Sequence, residues 1–259
     1  MSIQITTEQI KELRDLTGIS VMQCKRALEE AEGDQKKALA ILKKTSSAIA
    51  EKKVGREAKD GAVMVKNNGK KAVLVPLHCE TDFVSRNADF TAVLGKLADM
   101  AISSGKDKMK AEAKELIDPL IQKTGENVQL GEVSQVEGDV LGDYVHSNKI
   151  AVIVSLTGGS VELARDIAMH IAAMKPEYIT PEEINEDARR TIAEIFQKEV
   201  ANIDKPEEIK KKMLDGKINT YFKEKTLLEQ AFIKDGEMSV GKLLEKSKAK
   251  IKEVKRYSI

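Results

Sequence analysis

Two separated stretches of the chain repeat one plan, and that repetition limits the fold more than any other feature. GAVMVKNNGKKAVLVPLHC (residues 61–79) sets two apolar runs around Asn67-Asn68-Gly69, a strong hairpin-turn signal. A polar stretch follows, and then a helix from about Asp89 whose apolar positions Phe90, Val93, Leu94, Leu97, Ala98 and Ala101 keep helical spacing. DYVHSNKIAVIVSLTGG (143–159) again reads as strand, Ser-Asn turn, strand. SVELARDIAMHIAAMKP (160–176) supplies the second helix, with Leu163, Ile167, Ile171 and Met174 on one side. Two β-hairpin-plus-helix units predict an α+β core of two related subdomains. Between them, residues 109–133 read as a helix leading into another strand.

The repeat is preceded by a segment of a different kind. Over residues 1–45, Thr6 with Gln9 forms a capping-box start, Ile10, Leu13 and Leu16 make an apolar stripe, and Gly18 closes the helix. Ser20 with Gln23 starts a second helix that places Cys24, Ala27, Leu28 and Ala31 on one face and stops at Gly33. Asp34 caps a third, carrying Ala38, Leu39 and Leu42. Three helices of this length predict a small bundle, the usual form of a docking module. Met22 lies nearly opposite the Cys24–Leu28–Ala31 face at about 100° per residue, and Val21 sits at its edge. A lone exposed methionine is common, and an adaptable thioether also suits a contact surface, so both readings stand.

Residues 46–60 are polar and basic with little periodicity and read as a linker. Thr180-Pro181-Glu182-Glu183 is a dense helix-start signal. A charged, lightly apolar helical hairpin is expected from there to about residue 225, turning at Asp204-Lys205-Pro206. Such a hairpin can project from a body or pair with another chain. TLLEQAFIKD (226–235) reads as a strand, Ser239 caps a short helix, and KIKEVKRYSI (250–259) is a last strand. The expected organisation is therefore a docking module (1–45), a linker (46–60), a first core subdomain (61–140), a second (141–179, completed by 226–259), and an inserted hairpin (180–225).

Chemistry is scarce in this framework. His78 and Cys79 are adjacent, yet neighbours on a strand point to opposite faces and cannot act as base and nucleophile. His146 falls in a turn and His170 on a helix beside Ile167 and Met174, where packing is favoured over ligation. Two cysteines, Cys24 and Cys79, give neither a disulfide framework nor a metal-ligand spacing. No phosphate-binding or dinucleotide glycine motif is present, so no catalytic, metal or cofactor site is expected. Lys and Arg total 43 against 42 Asp and Glu, and aromatics are 3% of residues. That balance favours neither nucleic acid nor an anionic membrane as a direct partner. The amino terminus lacks a signal pattern, no apolar run reaches membrane-spanning length, and the two cysteines form no disulfide framework, so a reducing cytoplasm is the expected setting.

What remains are motifs of contact. LRDLTGISVMQCKRALEEAEGDQKKAL (13–39), HCETDFVSRNADF (78–90), EGDVLGDYVHSNKIAVIV (137–154) and IAMHIAAMKPEYI (167–179) together resemble the bacterial elongation factor Ts family, in order along essentially the whole chain. The resemblance implies a UBA-like bundle at the amino terminus and a guanine-nucleotide exchange factor, not an enzyme, whose partner is the GTPase elongation factor Tu. It implies that Thr81, Asp82, Phe83 and Val84, read as a loop, disturb the GTPase's magnesium site. Phe83 would insert between GTPase helices, with Asp82 taking part. It implies docking through Val21 and Met22, His146 in the contact region, and a homodimer through the helical hairpin as one use of that insertion. Better-known members continue past the last core strand into a further module, whereas this chain ends at Arg256-Tyr257-Ser258-Ile259, so that contact is not expected. Two other classes compete: an adaptor acting through residues 1–45 alone, and an enzyme using Cys79.

Overall fold

The computed structural model describes residues 5–259; the first four residues of the expected docking module lie outside the described residues. The chain divides into two compact units. One comprises Met1–Val136, Val145–Ala151 and Tyr257–Ile259; the other comprises Glu137–Tyr144 and Val152–Arg256.

The first unit opens with α1 (Thr7–Thr17), α2 (Val21–Glu30) and α3 (Gln35–Glu51). Each start signal in the sequence is used. Thr6 and Gln9 exchange the two bonds of a capping box, Ser20 accepts from the Gln23 amide, and Asp34 accepts from the Lys37 amide. Gly18 takes a left-handed conformation (φ 68°) to end α1. Leu13, Ile19, Cys24, Ala27, Leu28, Ala31, Ala38 and Leu42 form the bundle core. Leu16, expected in the apolar stripe of α1, is instead 71% exposed. Leu16 lies about 60° around the helix from Leu13, and the narrow seam of so small a bundle takes Leu13 but not Leu16.

The stretch read as linker from residue 46 is helical through Glu51. Thr45 and Ser46 satisfy their hydroxyls on carbonyls one turn back, at Ile41 and Leu42, which removes the usual objection to such residues within a helix. Ser46 also bonds Gln122, and Ser47 donates to the Asp118 carboxylate at 2.6 Å. Both partners lie on α6 (Lys106–Thr124), which follows α5 (Ala88–Ser104).

β1 (Asp60–Asn67) and β2 (Lys71–Cys79) form the expected antiparallel hairpin, in register from Asp60–Cys79 to Asn67–Ala72. β2 also pairs with β3 (Gln129–Leu130) and β4 (Ser134–Glu137). Val73, Val75, Leu77 and Cys79 share one face of β2 and pack with Phe90, Leu94, Leu97 and Ala101 of α5 and with Met109, Ala113, Leu120 and Ile121 of α6. Gly61 is needed at φ 151°, because a Cβ there would collide with the Leu77 carbonyl oxygen.

The second hairpin is β5 (Val140–His146) and β6 (Ile150–Thr157), joined in a sheet of order β5-β6-β9 with the last strand, β9 (Lys250–Ser258). α7 (Val161–Met174) follows, with Ile167 and Ile171 buried but Met174, its last residue, 46% exposed. α8 (Glu186–Ala201) and α9 (Glu207–Lys225) form the charged hairpin. Thr180-Pro181 opens only a single 3-10 turn, and the cap of α8 is Asn185, which accepts from the Ala188 amide. Residues 226–235, expected as one strand, mostly form turns before the short strand β7 (Ala231–Phe232), which pairs with β8 (Asp235–Ser239). The reason is Gln230: buried, it bonds His170 Nε2 at 2.9 Å and the Glu224 carbonyl at 2.7 Å, contacts a straight strand would not make. His170 is thus a packed, hydrogen-bonded core residue. Ser239 caps α10 (Val240–Lys246) as expected.

Candidate partner-binding site

The polar stretch after β2 is not a loop but a single helical turn, α4 (Asp82–Ser85). Four residues are too few for periodicity to show in a sequence. Thr81 is its N-cap, extended (φ −130°, ψ 157°), with its hydroxyl accepting from the Val84 amide at 3.4 Å. The turn divides its side chains sharply. Val84 packs on the core beneath and Ser85 is buried, while Phe83 is 84% exposed. Asp82 is half-buried and pairs with Arg86 at 3.2 Å, one turn on.

Around α4 stand residues that sequence reasoning missed. The Glu126 carboxylate, just after the Gly125 cap of α6, accepts from the Glu80 amide (3.0 Å), the Thr81 amide (3.0 Å) and the Thr81 hydroxyl (2.6 Å). In the other direction, Glu80 accepts from the Asn127 amide at 2.7 Å and from Arg56 at 3.3 Å. The Asn127 amide, above all, holds the Glu80 carboxyl below the usual carboxylate range. Asn127 is buried and donates to the Arg56 carbonyl at 2.6 Å. No motif marks such pairs, since their members lie some 45 positions apart; only the Gly-Glu-Asn helix stop at 125–127 hints at a structured corner.

A second tie runs through Asp60. Burial pushes its carboxyl up, but hydrogen bonds from Lys149 and Ser85 outweigh that and hold it low. Lys149 Nζ reaches Asp60 and the Gly61 carbonyl, both at 2.6 Å. Lys149 closes the turn after β5, where Ser147 (φ 50°) and Asn148 (φ 56°) are left-handed, as hairpin turns with two central residues require. His146, expected within the turn, is the exposed last residue of β5, and its carbonyl accepts from the Lys149 amide at 2.9 Å. Asp60 therefore ties the start of β1 to the His146 turn.

Val21 (47% exposed) and Met22 (58%) begin α2 and face away from the bundle core. The Lys123 side chain lies across Gly18, where a Cβ would sit 2.5 Å from Nζ, and pairs with Asp89 in the first turn of α5 at 2.6 Å. The structure thus brings Thr81–Val84 and His146 onto one braced framework and leaves Val21 and Met22 on the neighbouring bundle.

His78 and Cys79 part as strand geometry requires. His78 Nε2 meets the Tyr257 hydroxyl at 2.7 Å, whereas Cys79 is buried with its thiol directed to the Thr81 carbonyl at 3.2 Å. Burial, with Asp60 and Glu126 adding to it, pushes that thiol up to about 12. Among the described residues, no group of three or more His, Cys, Asp or Glu side chains is placed to hold a metal ion, and no helix is long and apolar enough to cross a membrane. A cavity of about 830 Å³ in the second unit, lined by Ile179, Leu228, Leu244 and Ile251 among others, includes none of the expected contact residues. The arrangement presents exposed apolar side chains on braced backbone rather than a pocket.

Comparison with known proteins identifies the family. Residues 80–259 match the family model described as elongation factor Ts. Elongation factor Ts of Hahella chejuensis is 41% identical over 98% of this chain and 92% of its own length. The Pseudomonas fluorescens protein of that name is 41% identical over 99% and 91%, and that of Aeromonas salmonicida 40% over 98% and 90%. The chain belongs to the elongation factor Ts family of translation elongation factors.

Proposed function

We propose that the protein is a guanine-nucleotide exchange factor that binds elongation factor Tu and promotes GDP release, with α4 as the element that enters the partner's magnesium and nucleotide region. In this reading Phe83 is an apolar wedge, Asp82 is the acid beside it, and Thr81 and Val84 hold the turn that carries them. Val21 and Met22 dock on the GTPase, and His146 lies within the contact. The proposed modules are those outlined from the sequence, with the docking bundle extended by the rest of α3. One observation carries the reading: Phe83 has the highest exposure of any large apolar side chain among the described residues, on a turn whose neighbours are anchored.

Exchange needs no covalent step. A factor that prefers the nucleotide-free GTPase weakens nucleotide binding, and nucleotide weakens the factor's binding equally. A thousandfold change in nucleotide affinity corresponds to ~4 kcal/mol of coupling. Burying one Phe supplies ~1.5–3 kcal/mol, so Phe83 acts together with the docking contacts. Direct nucleic-acid binding has no part in this reading, given a net charge of +1. Pairing of the α8–α9 hairpin with a second copy is proposed as well, supported by the exposed Ile195 and Ile209 on its surface.

Release of a fluorescent GDP from elongation factor Tu in excess GDP tests the wedge. Asp82→Ala and Phe83→Ala should each slow release by about tenfold or more, ~1.4 kcal/mol, with little change in melting temperature; wild-type rates for both reject it. Met22→Asp should weaken GTPase binding while circular dichroism shows an intact bundle; a melted bundle would show Met22 to be core. If residues 5–51 alone bound the GTPase as tightly as the whole chain, an adaptor would be the better description. The thiol-enzyme alternative predicts fast native-state labelling of Cys79. The raised thiol leaves almost no thiolate at about pH 8, so Cys79 should stay unlabelled by a maleimide until the chain is unfolded. Sedimentation equilibrium at micromolar concentration reads the dimer directly, a mass of 28.6 kDa at every concentration rejecting it.

A further inference from the structure

We infer that Glu126 is the positioning residue for the exchange step: its carboxylate fixes the start of α4 and so the direction of Phe83. This rests on the exchange reading above. α4 is one turn long, and an isolated turn cannot sustain itself, because nucleation fixes several residues for a single hydrogen bond. Phe83, being 84% exposed, has almost no packing of its own to fix it. Its direction is therefore set by the backbone on either side.

The amino-terminal side is held by Glu126. The Glu80 and Thr81 amides precede the turn and have no helical acceptor; both are taken by one carboxylate oxygen at 3.0 Å. The other oxygen takes the Thr81 hydroxyl proton at 2.6 Å. That bond has a directional consequence. A hydroxyl has one proton, so committing it to Glu126 turns a lone pair toward the Val84 amide, which is the capping bond of α4. The reverse contact, from the Asn127 amide to Glu80 at 2.7 Å, clamps residues 80–81 and 126–127 on each other in both directions. The Lys53 ammonium bonds the Gly125 carbonyl, so the corner carrying Glu126 is itself held. Glu126 need not touch the GTPase to act; it works through Thr81.

The test uses the full chain and three readouts. Glu126→Ala should lower the maximal rate of GDP release from elongation factor Tu by about tenfold, the change that ~1.4 kcal/mol produces, while the concentration for half-maximal exchange moves less than about twofold, because Val21 and Met22 still dock. In a Phe83→Ala background the same substitution should cause no further loss. Amide hydrogen exchange should accelerate at Val84 and Ser85 and stay unchanged along β1 and β2. A wild-type rate for Glu126→Ala overturns the inference, as does full multiplication of the two losses. If Glu126→Ala does not fold, Glu126→Gln, which keeps the volume, is read by the same assays. Loss of protection across the whole sheet in that variant also overturns a local positioning role. Failure of the exchange reading itself looks different, because Phe83→Ala alone would then retain the wild-type rate.

Discussion

The first unit depends on β2 being buried on both sides. A strand that pairs with β1, β3 and β4 and packs its odd-numbered residues against α5 and α6 has no freedom of register. A slip of one residue would carry Val73, Val75, Leu77 and Cys79 out of the helical core and put His78 in. Everything beyond Cys79 inherits that fixed position. The chain leaves the sheet at a defined point and direction, and a few hydrogen bonds then suffice to place the residues that follow.

Those bonds act where the hydrophobic effect has nothing to hold. Apolar burial is non-directional, and on α4 it secures only Val84. The carboxylates of Glu126 and Glu80 supply direction, each accepting bonds whose geometry tolerates little error. The half-exposed setting lowers what each bond contributes below the ~1.5–3 kcal/mol of a fully buried charge-assisted bond. Their combined effect is a geometric constraint more than a large stabilisation. The region therefore couples a rigid sheet to a short turn whose apolar residue faces solvent.

Much of this was legible in the sequence, because the legible parts rest on local rules. Caps at Thr6, Ser20 and Asp34 and the turn at Asn67-Asn68-Gly69 depend on residues a few positions apart, and the outward side of Met22 follows from helical angle alone. The failures share a cause. The helix through Ser46 and Ser47 is sustained by partners on α6, the irregular path at 226–230 by Gln230 reaching His170, and the order of α4 by Glu126. Each is a contact between segments far apart in the chain, and periodicity carries no record of those. Phe83 shows the boundary: pattern removed it from the neighbouring strand and helix but left its direction open, and contacts distant in sequence, the bonds to Glu126 and the packing of Val84 and Ser85 beneath, accompany its outward position.

The continuous α3 has one more consequence. A flexible tether between the amino-terminal bundle and the sheet would let each find a partner separately, and the second contact would then form at the modest effective concentration a short linker allows, of millimolar order. Because α3 runs unbroken into its bonds with α6, the bundle is joined to the helices that cover the sheet by packed side chains as well as by the chain itself. In the proposed two-surface engagement, this joint would let the second contact follow the first without a separate search, part of its rotational entropy having been spent during folding.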